Sequence, residues 1–97
     1  MIALTLLTQS ACPSCIAGKR VLAELSAEFP LQIDEVDVNS DAGRAIAREQ
    51  RLAFTPGLVA NGRLIAHGRL STRALRRKFT TMLQTPDSTQ STRPEGS

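Results

Sequence analysis

At 97 residues and 41% hydrophobic, the chain has material for one small core and none for a second domain. Charged residues make up 22%, and no apolar run approaches the roughly 18 residues of a spanning helix, which excludes a membrane-embedded protein. A formal charge of +3 and an aromatic fraction of 3%, all of it Phe, supply neither a broad basic surface nor stacking platforms, so nucleic acid is not expected as a partner.

Ile2 to Leu7 is short and apolar and ends at Thr8-Gln9-Ser10, the pattern of a buried strand. From Pro13 to Phe29, Cys15, Gly18, Val21, Leu22, Leu25 and Phe29 recur at helical spacing, with Lys19, Arg20, Glu24 and Glu28 on the other side. Pro13 suits a first helical turn, where its missing N–H costs nothing, and Pro30 forbids continuation. Leu31 to Val38 predicts a second, half-exposed strand, with a bulge expected where the alternation slips at Asp34-Glu35. Ser40 or Asp41 caps a second helix running to about Arg51, with a thin apolar stripe of Ala42, Ala45, Ile46 and Leu52.

Gly57 to Ala60 and Arg63 to Ala66 flank Asn61-Gly62, two residues that tolerate the positive φ of a type I′ turn, which predicts an antiparallel hairpin. Ser71 then caps a third helix ending near Leu83, with Leu70 and Leu75 placed as a hydrophobic staple and Phe79, Met82 and Leu83 continuing the buried face. Beyond it, 85–97 contains no Val, Ile, Leu, Met or Phe to offset the entropy of ordering it. The expected organisation is a domain over 1–83 and a disordered tail over 84–97. The order β-α-β-α-β-β-α gives a four-stranded mixed sheet flanked by three helices on its two faces.

The two cysteines, Cys12 and Cys15, are too few for a secreted disulfide scaffold. The apolar opening has no preceding Lys or Arg, and Gln9 stands where a lipoprotein signal wants an apolar residue, so no targeting segment is expected. The expected compartment is a reducing cytoplasm, where a close Cys pair is more often catalytic or metal-binding than structural. In Cys12-Pro13-Ser14-Cys15 the two sulfurs share one side of a first helical turn, at a separation a disulfide can bridge. Cys12 stands at the positive end of the helix dipole, where the free N–H groups of Ser14 and Cys15 can donate to a thiolate. Lowering its pKa from about 8.5 to about 6.5 raises the thiolate fraction at neutral pH roughly 25-fold and lowers nucleophilicity about 8-fold. The net gain in attack is about threefold.

Zinc sites use the same spacing, but a closed structural site needs four ligands, and outside the pair the chain offers one His, His67, and carboxylates. No resident cofactor or metal is expected, and a metal ion or iron–sulfur cluster held by cysteines of two chains is the residual alternative to redox chemistry. His67, in a turn, reads as solvated or structural. Arg69, Arg73, Arg76, Arg77 and Lys78 form the one basic concentration, just before and along the last helix; a solvated face is the default, and docking of an acidic protein partner is the sharper reading. A non-catalytic binding module using that basic face is therefore the functional alternative. A monomer is expected.

The combination of an apolar strand, Cys12-Pro13-Ser14-Cys15, a crossover helix, Glu35-Val36-Asp37-Val38-Asn39, a helix, Thr55-Pro56, an Asn-Gly hairpin and a capped final helix resembles the thioredoxin superfamily. It is most similar to short thioredoxin-like and glutaredoxin-like proteins, over about residues 1 to 83. The resemblance implies a thiol-disulfide oxidoreductase with Cys12 as nucleophile and Cys15 as resolving thiol, Ala11, Pro13 and Ser14 completing the active-site loop. It also implies that Pro56 is cis and lies against the cysteines, while the Thr55 backbone pairs with an extended substrate. Protein disulfides are the implied substrates, and a reductase or glutathione the implied reductant. Ala11 stands where thioredoxins usually have Trp, Leu6 replaces their buried acid, and Gln9 replaces a Lys frequent in glutaredoxins. The stretch that holds glutathione in glutaredoxins is replaced by His67-Gly68-Arg69-Leu70-Ser71, and free N–H groups near Ser71 and Thr72 are the candidate site for a glutathione carboxylate.

Overall fold

The apolar N-terminal run lies inside the sheet. The computed structural model describes residues 1–84 and places β1 (Ile2–Thr8) between β2 (Leu31–Asp37), parallel to it, and β3 (Gly57–Ala60), antiparallel to it; β4 (Arg63–His67) pairs with β3, giving the order β2-β1-β3-β4. Three helices complete the chain: α1 (Pro13–Ser26), α2 (Asp41–Gln50) and α3 (Thr72–Gln84). This is the expected β-α-β-α-β-β-α mixed sheet. The expected disordered tail lies outside the described residues except for Gln84, which is the last residue of α3.

One face of the sheet carries the main core. Leu4 and Leu6 of β1 and Leu58 of β3 pack with Leu22 and Leu25 of α1 and Leu75 and Phe79 of α3. Each such side chain contributes about 1.5–3 kcal/mol of transfer free energy. Phe29 meets Phe79 edge to face at 5.6 Å. Because Leu6 and Leu7 point to opposite faces and both are buried, the other face is covered too. There Leu52 closes on Gly57, and Gly43 of α2 lies against the backbone of Asp37 and Val38.

That two-sided burial corrects the expected bulge at Asp34-Glu35. The β1–β2 ladder runs in regular register from Ile2↔Leu31 to Thr8↔Asp37. The pattern slips because Leu31 and Ile33 pack toward the main core while Val36 faces the opposite way, so no extra residue is inserted. The irregularity lies instead in the hairpin, between Leu58 and Val59. Its turn has φ of 54° at Asn61 and 75° at Gly62, as a type I′ turn requires.

The helices differ in detail from their sequence patterns. α1 stops at Ser26, three residues early, because the N–H groups of Glu28 and Phe29 both turn back to the Leu25 carbonyl, and Phe29 reaches the core from that turn. In α2 the expected stripe is rotated: Ala42 and Ala45 are exposed, and the inward face is Gly43, Ile46 and Ala47. Ser40 caps it, its Oγ accepting from Gly43 N–H at 3.0 Å and donating to the Asp37 carbonyl at 2.6 Å. Ser71 caps α3 by accepting from Ala74 N–H at 3.1 Å, and Leu70 and Leu75 are both buried, consistent with the expected staple. Leu83 does not continue the buried face; it is 48% exposed, because Leu75, Phe79 and Met82 already complete the stripe.

Candidate functional site

Strand β1 delivers the chain to the head of α1, and the turn between them carries the cysteines. Ala11, exposed, adopts φ +52°, which redirects the backbone before Cys12. Cys12 is the N-cap of α1 in extended conformation, and Pro13 opens the helix. Cys12 and Cys15 form a disulfide with Cα atoms 5.2 Å apart. The Cys15 N–H also donates to Cys12 Sγ at 3.1 Å, so a backbone donor of the first turn is aimed at that sulfur. Cys15 is 2% exposed, whereas Cys12 is half-buried and its neighbours Pro13 and Ser14 are exposed. The pair is thus asymmetric, with Cys12 the more accessible residue and Cys15 the shielded one.

The Thr55–Pro56 bond is cis, and Pro56 is fully buried. Its carbonyl accepts from Gly68 N–H at 2.8 Å. A Cβ added at Gly18 of α1 would stand 3.4 Å from Pro56 Cγ and 3.1 Å from Leu70 Cδ1, so the glycine permits the close approach of these three segments. Thr55 Oγ1 lies 3.6 Å from Cys12 Sγ. A disulfide sulfur has no proton, so the hydroxyl is the donor there.

Beside the disulfide is an open cleft of about 530 Å³, lined by Thr8 to Cys12, Cys15, Ile16, Lys19, Glu35 and Asp37. Register explains its acids: Glu35 lies opposite Leu6 and Asp37 opposite Thr8 on the neighbouring strand. Glu35 accepts from Lys19 Nζ at 3.0 Å and from Thr8 Oγ1 at 2.9 Å. These contacts, the lysine's first, hold its carboxyl below the ordinary 4.5. The pair's contribution to stability is therefore present above the ordinary carboxylate pKa and lost as pH falls through the lowered one. Urea midpoints measured from neutral pH to below 4.5 should fall further for the wild type than for Glu35→Gln; parallel curves would contradict this assignment. Since Glu35 is 46% exposed, the difference will be small and weakened by salt.

Ala11, Cys12 and Cys15 of the expected site meet at this cleft, Pro13 and Ser14 join them through the first turn of α1, Thr55 stands beside Cys12, and Pro56 packs near Gly18 further along α1. Ser71 and Thr72 do not line the cleft. The sequence reading did not single out Lys19 and Glu35 as site residues. Lys19 reads as part of the polar side of α1, yet it lies one turn beyond Cys15, and that four-residue spacing is the signal that could have found it; Glu35 enters only through the strand register. Nor did it single out Ile16 and Phe54, which are 56% and 68% exposed and flank Cys15 and Thr55 in sequence. Among the described residues no three of His, Cys, Asp and Glu gather as a metal-ligand group.

No protein-family model matches the sequence, and no curated protein matches it. Solved structures do. Oxidised mitochondrial thioredoxin 3 from Saccharomyces cerevisiae superposes with a TM-score of 0.64 at 22% identity, over 82% of this chain and 77% of the thioredoxin. Reduced glutaredoxin from Escherichia coli matches with a TM-score of 0.57 at 17% identity, over 86% of this chain and 99% of the glutaredoxin. Glutaredoxin 1 from Francisella tularensis, complexed with cacodylate, matches with a TM-score of 0.55 at 17% identity, over 88% of this chain and 100% of that protein.

Proposed function

We propose that this chain, which has the fold of the thioredoxins and glutaredoxins, is a thiol-disulfide oxidoreductase. The observation that carries the reading is the asymmetry of the disulfide: Cys12 is half-buried and N-caps α1, and Cys15 is buried behind it. In the reduced protein the Cys12 thiolate attacks one sulfur of a substrate disulfide, forming a mixed disulfide and releasing the other sulfur as a thiol. Cys15, losing its proton, then attacks the Cys12 sulfur, which closes the Cys12–Cys15 disulfide and releases the second substrate thiol. Two electrons pass from the dithiol to the substrate. A reductase or glutathione returns them, and for glutathione Ser71 and Thr72 at the head of α3 are the proposed carboxylate site.

Exposed apolar side chains at Ile16 and Phe54 favour a protein substrate presenting apolar residues beside its disulfide. Pro56 and the Thr55 backbone would receive its extended chain, and the Thr55 hydroxyl would donate to the Cys12 thiolate before it attacks. A reducing cytoplasm remains the proposed compartment. Alkylation of the reduced protein across pH, followed residue by residue, tests the assignment. Cys12 should react first and at lower pH than Cys15, and Thr55→Val should move the Cys12 transition upward. Preferential labelling of Cys15 would overturn the roles.

A further inference from the structure

The cations of the last helix do not form one uniform face. Arg76 is committed: its Nε and Nη2 each donate to a Glu28 carboxylate oxygen at 2.8 Å. Arg77 and Lys78 instead turn toward β4 and, with Arg63, line an open groove of about 430 Å³ whose other walls are Leu64, Ile65, Thr81 and Met82. Among the described residues none of these three cations has an ion-pair partner. Neither β4 nor α3 contains an acidic residue. The groove shares no residue with the disulfide cleft.

We infer that this groove between β4 and α3 docks an acidic segment of a partner protein that carries apolar side chains. Three cations without an ion-pair partner among the described residues raise the local potential, which draws carboxylates and repels basic partners. The apolar walls formed by Leu64, Ile65 and Met82 then seat side chains such as Leu or Met, the arrangement of an apolar centre within a charged rim. Nucleic acid fits less well, since no aromatic residue lines the groove for stacking. Leu64 N–H is already taken by Gln50 Oε1 at 2.9 Å, so the segment lies along the face of the sheet rather than adding a strand at that point of the β4 edge.

The test does not depend on redox activity. A fluorescent synthetic peptide alternating Glu with Leu is titrated with the full chain, followed by anisotropy, beside a Gln-for-Glu counterpart. The wild type should bind the acidic peptide, more weakly as salt rises, and the Gln counterpart about tenfold more weakly or worse. Arg77→Glu with Lys78→Glu should lose about tenfold or more, while Arg20→Glu with Arg48→Glu, the same charge change placed on α1 and α2, stays within about twofold. Equal losses in both double variants would reduce the effect to net charge and overturn the groove. So would absence of peptide binding, or binding only to DNA or to vesicles of anionic lipid at the same salt. Concentration-dependent self-association abolished by the groove variant would assign the surface to a second copy and equally overturn it.

Discussion

Cys15→Ser should convert the protein from a catalyst into a trap. The substitution leaves Cys12 at the head of α1 with the residue-15 backbone N–H still aimed at its sulfur, so attack on a disulfide continues. What disappears is the thiol that releases the product. Mixed disulfides should accumulate on non-reducing gels and collapse with dithiothreitol, and reduction of insulin disulfides over many turnovers should fall by on the order of a hundredfold or more. Cys12→Ser should lose the same turnover and form no adduct, because the remaining sulfur is buried. This difference separates the oxidoreductase from its alternatives: a metal site shared between chains suffers from loss of either cysteine, and a binding module notices neither. Equal adducts in both variants, or none in either, would remove the ordered roles.

Gly43→Ala should destabilise the fold although it raises helix propensity. Alanine in place of glycine within an exposed helix gains about 1 kcal/mol. At Gly43, however, a Cβ would be driven into the Asp37 carbonyl oxygen and would stand 2.9 Å from Val38 Cα, both backbone atoms that cannot rotate aside. Overpacking of this kind costs about 1–3 kcal/mol or more, and here it outweighs the propensity gain. The displaced segment also includes Asp37, which lines the disulfide cleft, and whose carbonyl receives the Ser40 hydroxyl. Urea unfolding followed by circular dichroism should place Gly43→Ala below the wild type, whereas Ala45→Gly on the exposed face of α2 should lose only the propensity term. A more stable Gly43→Ala would contradict the packing described for α2.

Much of this architecture was legible in the sequence because local and tertiary preferences agree. Pro13 opens a helix where a proline is tolerated, Ser40 and Ser71 cap as hydroxyl residues do, and Asn61-Gly62 takes the positive φ that these residues accept. The same agreement places Cys12 and Cys15 at a strand-to-helix turn. Legibility ends where long-range contacts dictate local structure. Ala11 and Arg51 both lie at positive φ, +52° and +56°, although neither residue type prefers it; the strand-to-helix turn and the end of α2 impose it. Gly43 reads as a weak point of a helix until the Asp37 backbone is placed against it. Glu35 reads as one more exposed strand acid, and its bond to Lys19 exists because the parallel register brings β2 beneath α1.

The central claim is that Cys12 and Cys15 interconvert between dithiol and disulfide as a unit, and equilibration with glutathione buffers tests it most directly. The purified protein is held at graded ratios of reduced to oxidised glutathione, quenched with acid, alkylated and weighed. The account predicts one reversible transition between a doubly alkylated dithiol and an unalkylated intramolecular disulfide, reached identically from the reduced and the oxidised starting material. A pair that stays in one state across the series, or that gathers glutathione on Cys12 without ever closing to Cys15, would contradict it.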